Sequence, residues 1–295
     1  MTDLKNVINL TTLRFTEFPM WPKNVLMVSP NYFAVEYAIN PHMLDPSGQL
    51  QKVDQVKANK QWQLLREAFE VQGLQVRVVD GVAGLPDMVF AANQSFPFYK
   101  NGRLQMALSR MKSSFRQQEV LHFKQQYLHD NIETYEVPEG LTFESMGDAI
   151  WNYETNEIFG GYGFRTDEAV YDWLSEISQT PVIKLKLINE KFYHLDTALS
   201  ILNRDTALVV AEAFSHESMD KLKMKFKNLL QVPFAEACNF LAANACSLNG
   251  QTVFVESRAL ETQKLLKENG FKIVTFDTSE YLKSGGSIFC LKMLY

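Results

Sequence analysis

The amino-acid sequence predicts an α/β fold built from repeated modules, and three observations support this prediction. Windows of helical periodicity recur at intervals of about 40–60 residues, a spacing typical of repeat architectures. Each window is followed by a short stretch with the composition of a β-strand. Glycine and proline are scattered as turn residues, without linkers or low-complexity tracts. Periodicity alone leaves two arrangements open: five αβ modules around one axis, or an ordinary mixed sheet whose even spacing is accidental.

Five segments have the periodicity of an amphipathic helix. In the first, Trp62, Leu65 and Phe69 fall on one face, which would be buried. The predicted helices lie near residues 56–71, 114–128, 167–177, 217–230 and 259–268.

Strand-like stretches stand on both sides of these helices. Those after the helices are residues 74–79, 132–137, 182–187, 232–235 and 271–276. Those between modules include residues 25–28, 104–108, 158–161, 207–210 and 252–255. If five such modules surround one axis, five module ends meet at one place, where a site could form.

Length allows one large domain or two ordinary ones, and the charge makes nucleic acid an unlikely main partner. The chain has 295 residues, of which 46% are hydrophobic, enough for a substantial core. Its net charge of −5 provides no overall positive field for a phosphate backbone. We expect a leader over residues 1–24 and a single domain over residues 25–295, since no convincing boundary interrupts the latter.

Cysteine usage and hydropathy predict a cytoplasmic protein. The chain has three cysteines, Cys238, Cys246 and Cys290, and no Cys-x-x-Cys spacing, so neither a disulfide framework nor a metal site is expected. The first residues lack the apolar block of a signal peptide, and no window approaches the roughly 20 apolar residues of a membrane span.

Cys290 is a candidate nucleophile because it follows a Gly-Gly-Ser turn, where the backbone can approach a ligand closely. The alternative is a small buried hydrophobic residue, which is the interpretation we prefer for Cys238 and Cys246 in their apolar surroundings.

His194 and Asp196 form the second candidate. If this segment is a strand, both side chains point to one face, where a base and a carboxylate could activate a nucleophile. The alternative is a structural histidine. The other histidines are interpreted as surface or incidental residues; they are His42, His122, His129 and His216.

Two acidic clusters precede strand-like stretches. Glu144 and Asp148 surround a glycine before residues 149–151, and Asp87 precedes Asn93 before another strand. A buried carboxylate needs a partner, which a cationic substrate or a structural arginine could supply.

Arg116 and Arg165 are candidate anion-binding residues. Arg165 is predicted to open a helix, where its guanidinium and the free backbone N–H groups could hold a carboxylate. The alternative is a surface residue near a helix cap.

Taken together and in this order, these motifs resemble the guanidine-modifying (pentein) superfamily over nearly the whole chain. The closest resemblance is to its arginine dihydrolase and dimethylarginine dimethylaminohydrolase-like members. The motifs are VEYAINP (35–41), PDMVFAAN (86–93), SRMKSSFRQQE (109–119), ESMGD (144–148), GYGFRT (161–166), FYHLDT (192–197) and GGSIFC (285–290).

The resemblance implies a five-bladed α/β propeller of ββαβ modules with pseudo-five-fold symmetry and a central active site. It implies that a Cys290 thiolate attacks a guanidinium carbon, with His194 as general acid and base and Glu144 orienting His194 or holding the guanidinium. Substrate-binding roles are implied for Asp196 at the guanidinium, for Arg116 and Arg165 at an α-carboxylate, and for Asp87 at the α-amino end. No cofactor and no metal are implied.

Asn93 and Asn40 favour an arginine dihydrolase, which converts arginine to ornithine, ammonia and carbon dioxide. Deiminase-type relatives carry an aspartate at the position of Asn93, whereas the dihydrolase group carries asparagine. A neutral amide can both donate and accept, so it can also hold the neutral ureido group of citrulline. This implies two hydrolytic cycles on one small-molecule guanidino substrate.

Other functions stay open. They are a dimethylarginine dimethylaminohydrolase, an arginine deiminase that stops at citrulline, an amidinotransferase and a non-catalytic binding propeller. The joint presence of Cys290, His194, Glu144 and Asp196 argues against the last. The chain departs from the family at Ser145, Met146 and His42, which could reshape the pocket, and a homo-oligomer is also left open.

Overall fold

The computed structural model describes residues 21–295. The predicted leader falls largely on residues 1–20, so this prediction lies outside the described residues. In the described part the chain forms five three-stranded sheets with helices between their strands, which confirms the α/β class.

The element bounds follow the chain. The strands are β1 (Asn24–Val28), β2 (Gln75–Val79), β3 (Ser95–Lys100), β4 (Arg103–Leu108), β5 (Glu133–Tyr135), β6 (Ala149–Asn152), β7 (Glu157–Tyr162), β8 (Val182–Lys186), β9 (Leu199–Ile201), β10 (Thr206–Val209), β11 (Asn228–Gln231), β12 (Cys246–Ser247), β13 (Thr252–Glu256), β14 (Lys272–Phe276) and β15 (Met293–Leu294). The helices are α1 (Gln55–Val71), α2 (Gln117–His129), α3 (Val170–Ser178), α4 (His216–Lys225), α5 (Phe234–Phe240), α6 (Leu260–Glu268) and α7 (Ser279–Leu282).

All five sheets share one strand order. In the sheet of β3, β4 and β5, the central strand β4 pairs antiparallel with β3 and parallel with β5, and α2 makes the crossover. The sheets β6–β8, β9–β11 and β12–β14 repeat this pattern. A tight turn can join the antiparallel pair, whereas the parallel pair needs a helical crossover. Each of these four sheets is therefore one ββαβ unit.

The fifth sheet joins the two ends of the described chain. Its central strand β1 pairs parallel with β2 across α1, and antiparallel with the C-terminal strand β15. Because β15 begins three residues after Cys290, this pairing anchors the segment that carries the candidate nucleophile.

The central strands lie in the core. Every residue of β10 and β13 is buried, as are residues 25–28 of β1. Helix α1 begins after Asp54, whose side chain accepts a hydrogen bond from the backbone N–H of Lys57. It buries Trp62, Leu65 and Phe69, as the periodicity predicts.

The segments that precede the antiparallel outer strand of each sheet carry many of the polar side chains of the site. Short 3₁₀ turns at Pro86–Val89, Ser145–Gly147 and Leu195–Thr197 precede β3, β6 and β9. The segments before β12 and β15 carry Asn244 and Cys290. Hydrogen bonds join these segments to one another.

The prediction for residues 217–235 is partly wrong. Helix α4 ends at Lys225, and residues 228–231 form β11 because they pair in parallel with β10. The predicted strand at 232–235 is instead a turn followed by α5, with Pro233 at the helix N-cap. Local apolar content did not distinguish strand from helix here, and tertiary pairing decided.

Candidate active site

One buried cavity lies where the module ends meet. Seven of the nine predicted site residues line it: Asn40, Asp87, Asn93, Arg116, Arg165, His194 and Cys290. The other two, Glu144 and Asp196, lie behind the wall and are hydrogen bonded to His194 and Cys290. A larger groove beside α2 contains none of the nine.

The side chains that line the cavity leave room only for glycine in the Gly-Gly turn before Cys290. Gly285 has φ +83°, and a Cβ atom there would lie 2.6 Å from the hydroxyl of Tyr193. A Cβ atom at Gly286 would overlap the ring of Phe90. Only glycine therefore lets the backbone pass between these side chains and present Cys290 to the cavity.

Cys290 contacts Asp196 directly. Its Sγ atom donates a hydrogen bond to Oδ2 of Asp196 at 3.1 Å. Burial and the neighbouring carboxylate raise the pKa of the Cys290 thiol well above its usual value, while the side chain of Asn244 opposes this shift. Burial also raises the pKa of Asp196 to about 7, against hydrogen bonds from Cys290 and Asn244. The pair therefore favours the protonated thiol.

His194 is held by Glu144 rather than placed on a strand. The segment is extended only at His194, and Asp196 lies in a 3₁₀ turn, so the prediction that strand alternation aligns them is wrong. His194 Nε2 lies 2.7 Å from Oε2 of Glu144. A hydrogen-bonded carboxylate of this kind orients an imidazole for proton transfer.

Glu144 is fully buried and ionised. Burial alone would raise its pKa, but Arg165 and His194 lower the pKa to about 2. Arg165 lies 3.2 Å from Oε2 of Glu144, and the backbone N–H of Lys112 donates to Oε1 at 3.1 Å. Glu144 can therefore stabilise positive charge on His194.

Asp148 is hydrogen bonded to the segment that carries His194. Its Oδ1 accepts from the backbone N–H of Leu195 at 3.0 Å, and its Oδ2 accepts from the hydroxyl of Thr166. Burial raises the pKa of Asp148 to about 7. Its bonds to the backbone and to Thr166 indicate that it holds the His194 segment in place.

Arg165 does not open a helix, because α3 begins five residues later, at Val170. Its guanidinium lies over the ring of Tyr193 and donates to the backbone carbonyl of Ile39 at 2.7 Å. Arg165 thus lines the cavity while already paired with Glu144.

Arg116 is paired with a carboxylate that the sequence interpretation did not assign to the site. It forms a bidentate contact with Glu119, and both side chains are buried. Its remaining donors reach Oδ1 of Asn93 at 3.2 Å and the backbone carbonyl of Asp87 at 3.1 Å. Arg116 therefore fixes the orientation of the Asn93 amide.

Three buried polar atoms of the site lack a hydrogen-bond partner within the described residues: Nδ2 of Asn93, Oδ2 of Asp87 and Oδ1 of Asp196. Unsatisfied buried groups are costly, so a ligand that supplies donors and an acceptor would be favoured here. A guanidinium with an amino acid backbone is one such ligand.

Gly147 lies against the base and the amide. A Cβ atom there would overlap Nδ2 of Asn93 and lie 3.2 Å from Nδ1 of His194. Ser145 adopts φ +48°, a left-handed conformation that glycine would take without strain. Ser145 is not among the residues that line the cavity.

Asn40 connects the outer loop to the nucleophile segment. Its Nδ2 donates to the backbone carbonyl of Ser284 at 3.0 Å, and its Oδ1 accepts from the N–H of His42. His42, interpreted from the sequence as a surface or incidental residue, is half-buried. Burial lowers the pKa of His42.

Three further residues were missed as site residues. Asn244 contacts both Cys290 and Asp196. Tyr193 donates to the carbonyl of Gly285 at 2.6 Å. Lys292 is fully buried with no hydrogen-bond partner among the described residues.

One of the three left a detectable signal in the sequence. Ala-Ala-Asn occurs at residues 91–93 and again at residues 242–244, each time two residues before the first strand of a sheet. Comparing the modules with one another would have identified Asn244 through Asn93. Tyr193 and Lys292 left no comparable signal.

Within residues 21–295, no group of three or more His, Cys, Asp and Glu side chains could hold a metal ion. In that same range, none of the helices has the length and apolar character needed to cross a bilayer.

The sequence is similar to known guanidine-modifying enzymes. The family described as N,N dimethylarginine dimethylhydrolase, eukaryotic, matches residues 29–294. The bifunctional arginine dihydrolase/ornithine cyclodeaminase ArgZ of Synechocystis sp. is 34% identical over 272 residues, covering 91% of this chain and 37% of ArgZ. The N(G),N(G)-dimethylarginine dimethylaminohydrolase of Mycobacterium tuberculosis is 33% identical over 267 residues, covering 90% of this chain and 83% of that protein. The chain thus spans 37% of the length of the bifunctional relative.

The structure is similar to a solved domain of the same relative. The N-terminal domain of ArgZ from cyanobacteria, as a cysteine-to-serine mutant bound to substrate, superposes with a TM-score of 0.85 at 31% identity. The match covers 92% of this chain and 97% of that domain.

Proposed function

The chain belongs to the N,N dimethylarginine dimethylhydrolase family of the guanidine-modifying (pentein) superfamily, close to the arginine dihydrolases, and from this premise we propose that it hydrolyses arginine to ornithine, ammonia and carbon dioxide. One observation carries the proposal: two hydrogen-bonded pairs, Cys290–Asp196 and His194–Glu144, meet at one buried cavity. Residues 25–295 would act as a single catalytic domain.

The finer architecture in this proposal is a five-bladed propeller. Each three-stranded sheet would be one blade, and the C-terminal strand β15 would complete the blade of β1 and β2. The shared strand order of the five sheets and the meeting of their module ends support this arrangement. The cavity would then lie at the hub.

The substrate would be held by charge and by the unpaired polar atoms. The guanidinium would lie against Asp196, whose Oδ1 has no hydrogen-bond partner among the described residues and could accept a strong, directional charge-assisted bond, while Glu144 would orient His194. Oδ2 of Asp87 would accept from the α-amino group, since no other donor reaches it among the described residues. Arg116 and Arg165 line the wall and would face the α-carboxylate.

In the first half-reaction, the thiol proton of Cys290 would pass to His194, and Sγ would bond to the guanidinium carbon. The bond from that carbon to one terminal nitrogen would break, and His194 would give this nitrogen a proton so that it leaves as ammonia. Water would then add to the same carbon, with its proton going to His194, and the thiolate of Cys290 would leave. The product is citrulline.

A second cycle of the same kind would convert citrulline to ornithine, carbon dioxide and a second ammonia. It requires a site that holds a neutral ureido group as well as a cation. Asn93 fits this requirement, because Arg116 fixes its Oδ1 and leaves its Nδ2 as an unused donor toward the cavity. A ureido oxygen could accept from that donor.

The second candidate function is hydrolysis of dimethylarginine. The family match over residues 29–294 and the relative from Mycobacterium tuberculosis favour it. It uses the same Cys290 chemistry but releases dimethylamine and stops at citrulline. An arginine deiminase would also stop there.

The test is amino-acid analysis after incubation with arginine, citrulline or dimethylarginine, with Cys290→Ser as the blank. We expect ornithine from both arginine and citrulline. Citrulline that accumulates from arginine without ornithine would end the dihydrolase proposal in favour of a deiminase. Turnover of dimethylarginine alone would select the second candidate. Ornithine or glycine added to the assay would reveal an amidinotransferase by forming a new guanidino product.

A further inference from the structure

We propose that Asn244 is a positioning residue for the nucleophile: its amide clamps the backbone at Cys290, holds that residue against Asp196 and stabilises the thiolate that attacks the substrate. The inference rests on the proposed function for its catalytic meaning. Its structural basis is a set of hydrogen bonds that join two segments far apart in the sequence.

The oxygen of the Asn244 amide holds the backbone of the nucleophile segment. Oδ1 accepts from the N–H of Phe289 at 2.9 Å and from the N–H of Cys290 at 3.3 Å. The backbone carbonyl of Asn244 also accepts from the N–H of Phe289, at 3.2 Å. Two successive peptide groups are therefore tied to one side chain, which limits where Sγ can lie.

The nitrogen of the same amide faces the reacting atoms. Nδ2 donates to the backbone carbonyl of Asp196 at 3.0 Å and to Sγ of Cys290 at 3.2 Å. The first bond holds the segment that carries the carboxylate. The second places a donor on the sulfur, where it favours the charged thiolate over the neutral thiol.

The chemistry of the site selects asparagine. The amide orientation is fixed because Oδ1 faces two N–H groups and Nδ2 faces a carbonyl and a sulfur. Asn244 is buried, so water cannot replace these bonds if they are lost. An aspartate would fit the space, but it would present oxygen to the carbonyl of Asp196 and to the sulfur.

In addition to the neutral amide of Asn244, several charged or titratable groups face Cys290. Asp196 raises the pKa of the thiol, and Tyr193 interacts with it across the wall. Lys292 is the nearby cation, and His194 lines the same cavity. Among these neighbours Asn244 is the one neutral side chain that donates directly to the sulfur.

The asparagines of the two Ala-Ala-Asn segments, Asn93 and Asn244, have different hydrogen-bonding environments. Both asparagines lie two residues before the first strand of their sheets. The amide of Asn93 keeps a free donor at the cavity, whereas both ends of the Asn244 amide are bonded to protein. The first would therefore contact substrate, and the second would position the nucleophile.

The experiment measures the reactivity of Cys290 without any substrate. The rate of iodoacetamide alkylation is followed against pH for Asn244→Asp and Asn244→Ser in a Cys238→Ser background, where the half-buried second thiol is absent. Asn239→Asp makes the same charge change at an exposed position of α5 and serves as the matched control.

We expect Asn244→Asp to raise the apparent pKa of the Cys290 thiol by about one unit, which slows alkylation about tenfold at a pH below that pKa. Asn244→Ser should raise the pKa of the Cys290 thiol by a smaller amount, and the control Asn239→Asp should leave that pKa unchanged. The pH profile of kcat/KM should shift in the same direction.

An alkylation profile unchanged in both Asn244 variants, each shown to be folded by circular dichroism, would overturn the proposal. Loss of folding in both would also overturn it, because Asn244 would then support the fold rather than the nucleophile. The pH profile of alkylation could shift in the Asn244 variants although the unmodified protein hydrolyses none of the guanidines. That result would support the positioning role of Asn244 and contradict the proposed function.

Discussion

The Sγ atom of Cys290 lies 3.1 Å from Oδ2 of Asp196, so the proposed nucleophile donates its proton toward a carboxylate. The neighbouring negative charge disfavours the thiolate, and the pKa of Cys290 is raised accordingly. A guanidinium bound between the two side chains would reverse this effect, because a nearby cation stabilises both the thiolate and the carboxylate. The cationic substrate would therefore assist the ionisation of its own nucleophile.

Asp196→Asn should separate thiol reactivity from catalysis. Removing the negative charge should lower the pKa of Cys290, so that alkylation at pH 7 becomes faster than in the unmodified protein. Turnover of arginine should nevertheless fall about 10- to 100-fold, the typical effect of losing one charge-assisted hydrogen bond. Alkylation and kcat/KM are measured on the same preparation. Slower alkylation would contradict the role assigned to Asp196.

Asn93→Asp should shift the product from ornithine toward citrulline. A carboxylate would still accept from Arg116, so the wall geometry is preserved. It would hold the cationic guanidinium more tightly, but it would remove the Nδ2 donor that we assign to the ureido oxygen. The ratio of citrulline to ornithine after incubation with arginine measures the effect. Asn239→Asp is the control, and an unchanged ratio in both variants would argue against a role of Asn93 in the second cycle.

Sequence patterns predicted the site residues better than their local structure. Cys290, His194 and Glu144 were candidates by residue type, and the resemblance of the ordered motifs to the superfamily assigned their roles. The strand assigned to His194 was wrong, since its segment needs only one extended residue before the 3₁₀ turn. The bounds of helix α1 were predicted almost to the residue, because the helix is amphipathic along its whole length and buries one face.

The contacts that complete the site were not predictable from local pattern. Asn244 lies between alanines, where a short apolar stretch indicates packing rather than a hydrogen-bonded clamp. Its four side-chain bonds reach residues 45 to 48 positions away, so only the fold brings them together. The pairing of Arg116 with Glu119 is local, but the burial that makes it strong depends on tertiary structure.

Glu144→Gln should change the dependence of stability on pH. The pKa of Glu144 is about 2 in the folded protein, below its ordinary value of 4.5. Its ionised form therefore contributes stability above about pH 4.5, and this contribution is lost as the pH falls toward 2. Between pH 7 and pH 3 the unmodified protein should lose about 2 kcal/mol from this group, which glutamine cannot lose because it does not titrate.

The measurement is urea unfolding of both proteins at pH 7 and pH 3. The variant should start from a lower free energy of unfolding at pH 7, since Arg165 loses its carboxylate partner. Its further decrease on acidification should be the smaller of the two. Equal decreases would show that Glu144 is not the buried ionised group described above. Arginine turnover by the variant should also fall, because His194 loses its orienting partner.

Lys292→Met should stabilise the fold and impair the nucleophile at once. The ammonium of Lys292 is fully buried without a hydrogen-bond partner among the described residues, and it lies 3.2 Å from the ring centroid of Phe289. Burial lowers the pKa of Lys292, against attraction from Cys246, Asp196 and Cys290. A lysine with a lowered folded pKa costs stability below its ordinary pKa, and methionine of similar length removes that cost.

The same cation should stabilise the Cys290 thiolate, so its removal should raise the pKa of that thiol. We therefore expect Lys292→Met to increase the free energy of unfolding at pH 7 by about 1 kcal/mol. We also expect it to slow iodoacetamide alkylation of Cys290 at the same pH. Urea unfolding and alkylation rates measure the two effects independently, with the exposed Lys227→Met as the matched control. Faster alkylation in Lys292→Met would mean that the buried ammonium does not act on the nucleophile, and a loss of stability would mean that the fold needs its charge.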